Sequence, residues 1–468
     1  MEFSVEKANK YLEENAGRID KQYRPHFHLA PPVGWMNDPN GLCFYKGKTH
    51  IFYQYYPYDS CWGPMHWGHA YTYDNCVFHH CGVALAPDRP DETGCFSGGA
   101  TVCRDDPDKL LIMYTKHYNS GDVRIERQGL AYSRNGLDFV KQDKPAIDIS
   151  DLPDGFSSKN FRDPNPVLIG GEYFVFVGSE KDSVGAILVY SSDDGEKFRY
   201  RGSILSPYFG QMGECPDFFK LDGHDVLIAS AIGLNKFDDK FKGSNSSLCF
   251  IGKFDSNNCD FRIDSVEEID CGNDFYAPQT YTDAEGRRVM IAWMDMWGSD
   301  YFLHSAHHGY NGAMTYPRVL SVRGGKLYQA PAPGIEKYRR TADLSRLSKC
   351  MDLTFRIKEG GCVRIAQKCG GEDSFCLSMT GGRICSDASH LRNAPRSARV
   401  SKYVYDGWVE IRALCDVSSL EFFIDGGRET FTERYYIPGD TITLSLNGAE
   451  IEELYELDLP EENFDIER

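Results

Sequence analysis

Three carboxylates and their neighbours set the chemistry open to this chain of 468 residues. Asp38 stands in Trp35-Met36-Asn37-Asp38-Pro39-Asn40-Gly41, Asp163 in Phe161-Arg162-Asp163-Pro164, and Glu214 in Glu214-Cys215-Pro216-Asp217. Each acid lies within two residues of a proline, and Pro39, with its own φ fixed, is expected to push Asp38 before it toward extended backbone. Asn40-Gly41 is expected to add a tight turn, and Trp35-Met36 to mark the end of a buried strand that delivers Asp38 into a cavity. Converging carboxylates without a metal signature or a basic cluster suit cleavage of a glycosidic bond. That reaction needs one acid to protonate the leaving oxygen and one carboxylate at the anomeric carbon. Like charges a few ångström apart cannot all ionise at neutral pH, so one carboxyl rises and becomes the donor. Glu214, beside Cys215 and before Pro216 in a drier setting, is the expected donor. Asp38 is the expected nucleophile, and Asp163, anchored by Arg162, is expected to hold sugar hydroxyls and steady positive charge developing on the ring.

Other chemistries are excluded by composition and spacing. His79, His80 and Cys81 adjoin and His304, His307 and His308 cluster, but neither group has the spacing of a zinc site, so no metal is expected. The net charge of −18 and pI near 5.2 leave no basic surplus to neutralise phosphates, which argues against nucleic acid and anionic membrane as partners. A small, locally recognised ligand fits better. Met1 to Lys7 has no basic segment followed by an apolar core, and nowhere do about 18 apolar residues run together. A soluble, cytoplasmic protein is expected, with its sixteen cysteines reduced and mostly buried.

The acids need elements to aim them. Val5, Ala8, Leu12 and Ala16 recur at helical spacing and predict a short amphipathic helix over 2–17 within a lead-in of residues 1–22. From Tyr23 the pattern becomes short Tyr, Phe, Val and Ile runs broken by Gly, Pro, Asn and Asp, a strand-and-turn sequence. Tyr71-Thr72-Tyr73-Asp74, Tyr132-Ser133-Arg134-Asn135 and Tyr190-Ser191-Ser192-Asp193 recur 61 and 58 residues apart. A second series keeps the same beat: Asp38, Phe96-Ser97-Gly98-Gly99, Phe161 to Pro164, Gly213 to Asp217, and Asp274-Phe275-Tyr276-Ala277-Pro278. About 60 residues per unit over residues 23–325 predicts a five-bladed β-propeller, with one motif per blade aimed at the axial channel. Residues 326–340, with Gln329-Ala330-Pro331-Ala332-Pro333-Gly334, read as a Pro-rich linker. Residues 341–468 predict a β-sandwich with strands at Leu353 to Ile357, Cys362 to Ala366, Trp408 to Leu414, Leu420 to Ile424 and Thr441 to Leu446. The acidic stretch from Glu450 to Arg468 is expected to fray at its end.

Together the motifs around Asp38, Asp163, Glu214 and Asp274 resemble glycoside hydrolase family 32, the invertase and fructanase family. Further matches are Phe52-Tyr53-Gln54-Tyr55, Gly63-Pro64-Met65-His66-Trp67-Gly68-His69, Phe96-Ser97-Gly98 and Thr315-Tyr316-Pro317-Arg318. The resemblance implies an all-β fold, a propeller followed by a sandwich, and retaining hydrolysis of β-fructofuranosides without a cofactor. It implies Asp38 as nucleophile at fructose C2, Glu214 as acid/base and Asp163 as transition-state stabiliser. By the same carry-over, Trp35, Asn37, Gln54, Trp62, Phe96, Ser97, Arg162, Asp274, Tyr276 and Trp293 line the fructose pocket. The chain departs from the family pattern at Tyr310 and Val319 and in Asp163-Pro164-Asn165-Pro166. Within the family it looks most like bacterial sucrose-6-phosphate hydrolases, so sucrose-6-phosphate or sucrose is the expected substrate, with Lys116-His117 a candidate phosphate contact. Exo-hydrolysis of short fructo-oligosaccharides and fructosyl transfer stay open, whereas intact acids count against a sugar-binding propeller without activity.

Overall fold

A computed structural model describes residues 3–234, 241, 243–368 and 372–466. Glu2 of the expected helix and residues 467–468 of the tail lie outside the described residues. Helix α1 (Val5–Asn15) starts where Ser4 caps it, the Ser4 Oγ accepting from the Lys7 N–H at 3.2 Å. It is shorter than expected, passing into a tight turn at Ala16–Arg18. Its buried face carries Ala8, Asn9 and Leu12, and Asn9 Oδ1 accepts from the Val83 N–H at 2.8 Å, docking the helix on the first blade.

Five four-stranded antiparallel blades follow. The first comprises β1 (Gly34–Tyr45), β2 (Lys48–Tyr56), β3 (His66–Thr72) and β4 (Phe78–Leu85). The second comprises β5 (Gly94–Cys103), β6 (Asp106–Ser120), β7 (Val123–Ser133) and β8 (Val140–Lys141), and the third β9 (Phe156–Ile169), β10 (Glu172–Lys181), β11 (Val184–Ser192) and β12 (Arg199–Leu205). The fourth is built from β13 (Met212–Leu221), β14 (His224–Ile232), β15 (Ser246–Asp255) and β16 (Asp260–Glu268). The fifth begins with β17 (Tyr276–Thr282) and β18 (Arg288–Trp293). A loop containing α2 (Phe302–Ser305) and β19 (Tyr310–Asn311) then precedes β20 (Arg318–Arg323) and β21 (Lys326–Pro331). β19 pairs in parallel with β1 and so ties the last blade to the first. Gly312 allows this approach, because a Cβ there would sit 2.1 Å from the Met36 carbonyl oxygen.

A middle blade is covered on both faces, so its inner strands must be apolar on both. In Tyr173-Phe174-Val175-Phe176-Val177 the alternate residues Phe174 and Phe176 pack toward the fourth blade, while Tyr173, Val175 and Val177 pack toward the second. Each neighbouring pair of blades has its own apolar cluster of this kind. The expected linker begins too early, since Lys326–Pro331 is the outer strand of the fifth blade. Pro331 is tolerated there because an edge strand leaves one side of its backbone unpaired.

The second domain contains β22 (Arg339–Thr341), β23 (Met351–Gln367), β24 (Ser374–Thr380), β25 (Arg383–Asp387) and β26 (Arg399–Val400). It continues with β27 (Val409–Asp416), β28 (Ser419–Ile424), β29 (Glu429–Arg434) and β30 (Ile442–Leu457). The expected strands Leu353 to Ile357 and Cys362 to Ala366 are two halves of β23, which bends between them. The first half pairs with β27 and the second with β24, while β30 follows both. Two leaves of a sandwich thus share a pair of strands and close over Phe355, Ile365, Phe375, Ile411 and Phe422. Within the described residues the acidic tail is anchored. Glu462 accepts from Arg24 Nε at 2.8 Å and Phe464 stacks on His80 with ring centroids 6.2 Å apart.

Candidate active site

The innermost strand of every blade breaks register at its motif. Bulges lie between Met36 and Pro39, between Phe96 and Gly98, between Glu214 and Asp217, and between Tyr276 and Gln279, and Arg162 to Asn165 bulges opposite Phe176 to Gly178. A bulge re-aims a side chain without ending the strand. Asp163, Cys215 and Ala277 pay for this with φ of 64°, 46° and 50°, a region non-glycine residues seldom occupy.

Asp38 is buried, its Oδ2 accepting from Ser97 Oγ at 2.7 Å and its Oδ1 from Asn37 Nδ2 at 3.1 Å. Trp35 Nε1 donates to Asn37 Oδ1 at 2.7 Å and so orients that amide. Asp163 Oδ2 accepts from the Cys215 N–H at 3.0 Å, and the Cys215 thiol lies 3.7 Å from both Asp163 Oδ2 and Asp38 Oδ2. Glu214 Oε1 accepts from Arg162 Nη2 at 2.7 Å and Nε at 3.1 Å, and its Oε2 accepts from the Tyr276 hydroxyl at 2.9 Å. Five blades therefore supply Asp38, Ser97, Asp163 with Arg162, Glu214, and Tyr276 to one network.

The expectation that Glu214 has the driest setting is corrected. Its side chain is 14% exposed, against 4% for Asp163, because its longer side chain lies nearer solvent. Burial and the charge of Glu214 push Asp38 up to about 6, although hydrogen bonds from Ser97 and Asn37 pull the other way. Asp163 is also raised, by burial first and then by Glu214 and Asp38, against the pull of Arg162.

The remaining expected residues divide into walls and supports. Trp35, Trp293 and Tyr276 form a buried aromatic cluster with Met65, extended by Trp297 and Tyr301, the Tyr301 ring meeting Trp35 edge-on at 4.7 Å. Phe96 stacks on His117 at 3.9 Å and meets Trp62 edge-on at 6.1 Å. Trp62 is half exposed and therefore stands at a rim rather than in the core. Gln54 donates to the Cys95 carbonyl at 3.0 Å and acts as a brace between the first two blades. Asp274 is buried, but both its oxygens accept from the second domain, from Arg396 Nε and the Arg434 N–H. Lys116 is buried and paired with Asp91 at 2.8 Å, and His117 lies against Glu126, so neither is a free phosphate contact.

Sequence reasoning missed Glu126 and Thr115. Burial alone would raise Glu126, but Arg162, His117 and Arg124 outweigh it and hold the carboxyl at about 2. Its Oε2 accepts from the Phe161 N–H at 2.9 Å and lies 3.4 Å from Arg162 Nη1, steering that guanidinium toward Glu214. Thr115 Oγ1 accepts from the Asp163 N–H at 2.8 Å and donates to the Ser97 carbonyl at 3.0 Å. Both stand on second and third strands, outside the motif beat, so the repeat carried no signal for them. Asp59, Cys61 and His304 have ligand atoms within 4.8 Å of one another, and none of the three acids belongs to that group.

A propeller with a carboxylate triad and an aromatic wall defines a glycoside hydrolase. Comparison with known proteins narrows the class. The model of the glycosyl hydrolases family 32 N-terminal domain matches residues 28–331 and that of the family 32 C terminal matches residues 376–457. The chain is 33% identical to a sucrose-6-phosphate hydrolase of Escherichia coli, covering 92% of this chain and 93% of that one. It is 32% identical to a raffinose invertase of Escherichia coli, over 94% and 95% of the two chains. A mutant of the Bombyx mori GH32 β-fructofuranosidase, solved in complex with sucrose, superposes with a TM-score of 0.85 at 30% identity, covering 98% and 99%. The chain belongs to glycoside hydrolase family 32.

Proposed function

We propose that this enzyme removes the terminal β-D-fructofuranosyl group of sucrose-6-phosphate, or of sucrose, with retention of configuration. The observation that carries the reading is the shared network of Asp38, Asp163 and Glu214, and the names of the relatives support the substrate class. Asp38, ionised, attacks fructose C2 while Glu214 gives its proton to the glycosidic oxygen, so the glucosyl part leaves as an alcohol and a fructosyl-aspartate forms. Glu214, now a carboxylate, takes a proton from water as the water oxygen attacks C2, and the bond to Asp38 breaks. Retaining enzymes of this kind hold their two working carboxyls about 5–5.5 Å apart. Glu214 suits the donor role because it is the most exposed of the three acids, where a proton can be exchanged with solvent. Asp163, the most buried of the three, accepts hydrogen bonds from fructose hydroxyls and faces the positive charge on the ring.

A phosphorylated substrate goes with a cytoplasmic location, and among the described residues no helix is long and apolar enough to cross a membrane. The test is kcat/KM on sucrose, sucrose-6-phosphate and a short fructo-oligosaccharide, with the Asp38→Ala variant as blank. Preference for the phosphorylated sugar is the expected result. A higher value on sucrose or the oligosaccharide removes the phosphate from the reading, and turnover by the blank removes Asp38 as nucleophile.

A further inference from the structure

The strand that carries Tyr276 is anchored from the other domain. Residues 270–274 run beside β29, with the Cys271 N–H donating to the Thr430 carbonyl at 2.8 Å and the Asp274 N–H to the Thr432 carbonyl at 3.1 Å. Asp274 Oδ2 accepts from the Arg434 N–H at 2.7 Å and Oδ1 from Arg396 Nε at 3.1 Å. Arg396 lies in the loop between β25 and β26, its side chain 11% exposed, and its Nη2 comes within 3.8 Å of Asp295 Oδ1. One guanidinium thus stands between two buried carboxylates of the fifth blade. Burial and the charge of Asp274 already raise Asp295, so the pair repels wherever the arginine is removed.

Tyr276 lies two residues beyond Asp274, and its ring is aimed by the bulge at Ala277. Any movement of the 274–276 backbone therefore moves the hydroxyl that meets Glu214 Oε2. We propose that Arg396, contributed by the sandwich domain, is a positioning residue for proton transfer at Glu214, because bridging Asp274 and Asp295 fixes the Tyr276 hydroxyl against that carboxyl. The proposal rests on Glu214 being the proton donor. It also gives the sandwich a part in catalysis besides covering the propeller.

A purely structural role would weaken all substrates alike, whereas a role exerted through the donor must depend on the leaving group. The experiment compares kcat on sucrose and on an aryl β-fructofuranoside with a nitrophenolate leaving group for wild type, Arg396→Ala, Arg396→Lys, Asp274→Asn and Glu214→Gln, with thermal melts alongside. Sucrose needs the proton and the nitrophenyl substrate does not. Arg396→Ala is expected to lose about 100-fold on sucrose, the scale of an ångström misplacement, and only a few-fold on the aryl substrate. Arg396→Lys should show the same selectivity at smaller size and carries the test where the alanine variant does not fold. Equal losses on both substrates for the Arg396 variants, with Glu214→Gln selective, overturn the proposal alone. Equal losses for Glu214→Gln as well overturn the donor reading and the proposal with it.

Discussion

At the residue scale, Asp38, the proposed nucleophile, is balanced between burial and hydrogen bonding. In the proposed reaction Asp38 attacks as a carboxylate, so with burial and Glu214 pushing it up to about 6 the acid limb of kcat/KM is expected there, activity rising with pH through that value. The Ser97 hydroxyl bonds the charged form and so lowers this pKa. Ser97→Ala should move the limb to higher pH, and a pH profile with an unchanged or lowered limb would show that Ser97 does not tune Asp38. A second expectation concerns Asp38→Ala, which removes a buried charge from beside two other acids. Turnover should vanish while the melting temperature holds or rises, and a circular dichroism melt beside the assay tests both halves. The three acids could be read from sequence because each sits at a proline-marked point in one repeat phase. Asp274 shared that phase yet serves the domain interface, since phase places a residue on the inner strand but does not say which neighbour meets its side chain.

At the scale of elements, the site depends on how closely blades approach behind the bulges. A Cβ on Gly178 would lie 2.3 Å from the Gly213 carbonyl oxygen and 3.1 Å from that of Arg162, wedging the third blade from the fourth beneath the Arg162–Glu214 pair. Gly178→Ala is expected to destabilise by about 1–3 kcal/mol, the usual scale of overpacking. It should also lower kcat/KM on sucrose. Unaltered activity in a destabilised variant would mean that blade spacing is decoupled from the acids. The blades themselves were legible, because a 60-residue beat of apolar runs and turn residues has few other solutions. The bulges were not, since one extra residue in a strand leaves the alternation on either side intact. β21 was misread for a related reason: its proline looked like a break, although an edge strand accommodates it.

At the scale of the whole molecule, the two domains are joined by charges buried far from solvent. Arg318 donates to Asp270 at 2.9 Å and pairs with Glu421, while His28 lies 2.8 Å from Asp416 and 2.7 Å from Glu421, all of them buried. The sequence marked Thr315-Tyr316-Pro317-Arg318 as a family match but gave His28 no partner, because Asp416 and Glu421 lie almost 400 residues away in the chain. Burial alone would lower the pKa of His28, yet its hydrogen bonds to Asp416 and Glu421 outweigh it and raise the folded value above 6.5. A raised histidine contributes stability that is complete below its unfolded pKa of about 6.5 and is lost as pH climbs through the folded value. Asp416 moves the other way: hydrogen bonds and the charge of His28 outweigh burial and lower it, so its share is present above about 3.9 and is lost as pH falls toward the folded value. The two slopes leave a plateau between them. His28→Gln leaves the carboxylates of Asp416 and Glu421 without their shared cation, at a cost of about 3–5 kcal/mol when a buried pair is broken. Melting temperature against pH should therefore fall for the variant across the plateau, and the alkaline decline due to His28 should flatten. A variant whose alkaline slope matches the wild type would mean that another group governs that limb. Because Glu421 also holds Arg318, the loss should spread across the junction and separate the unfolding of sandwich and propeller into two transitions in calorimetry. A single shifted transition would instead show that the β29 pairing to residues 270–274 suffices to keep the domains cooperative.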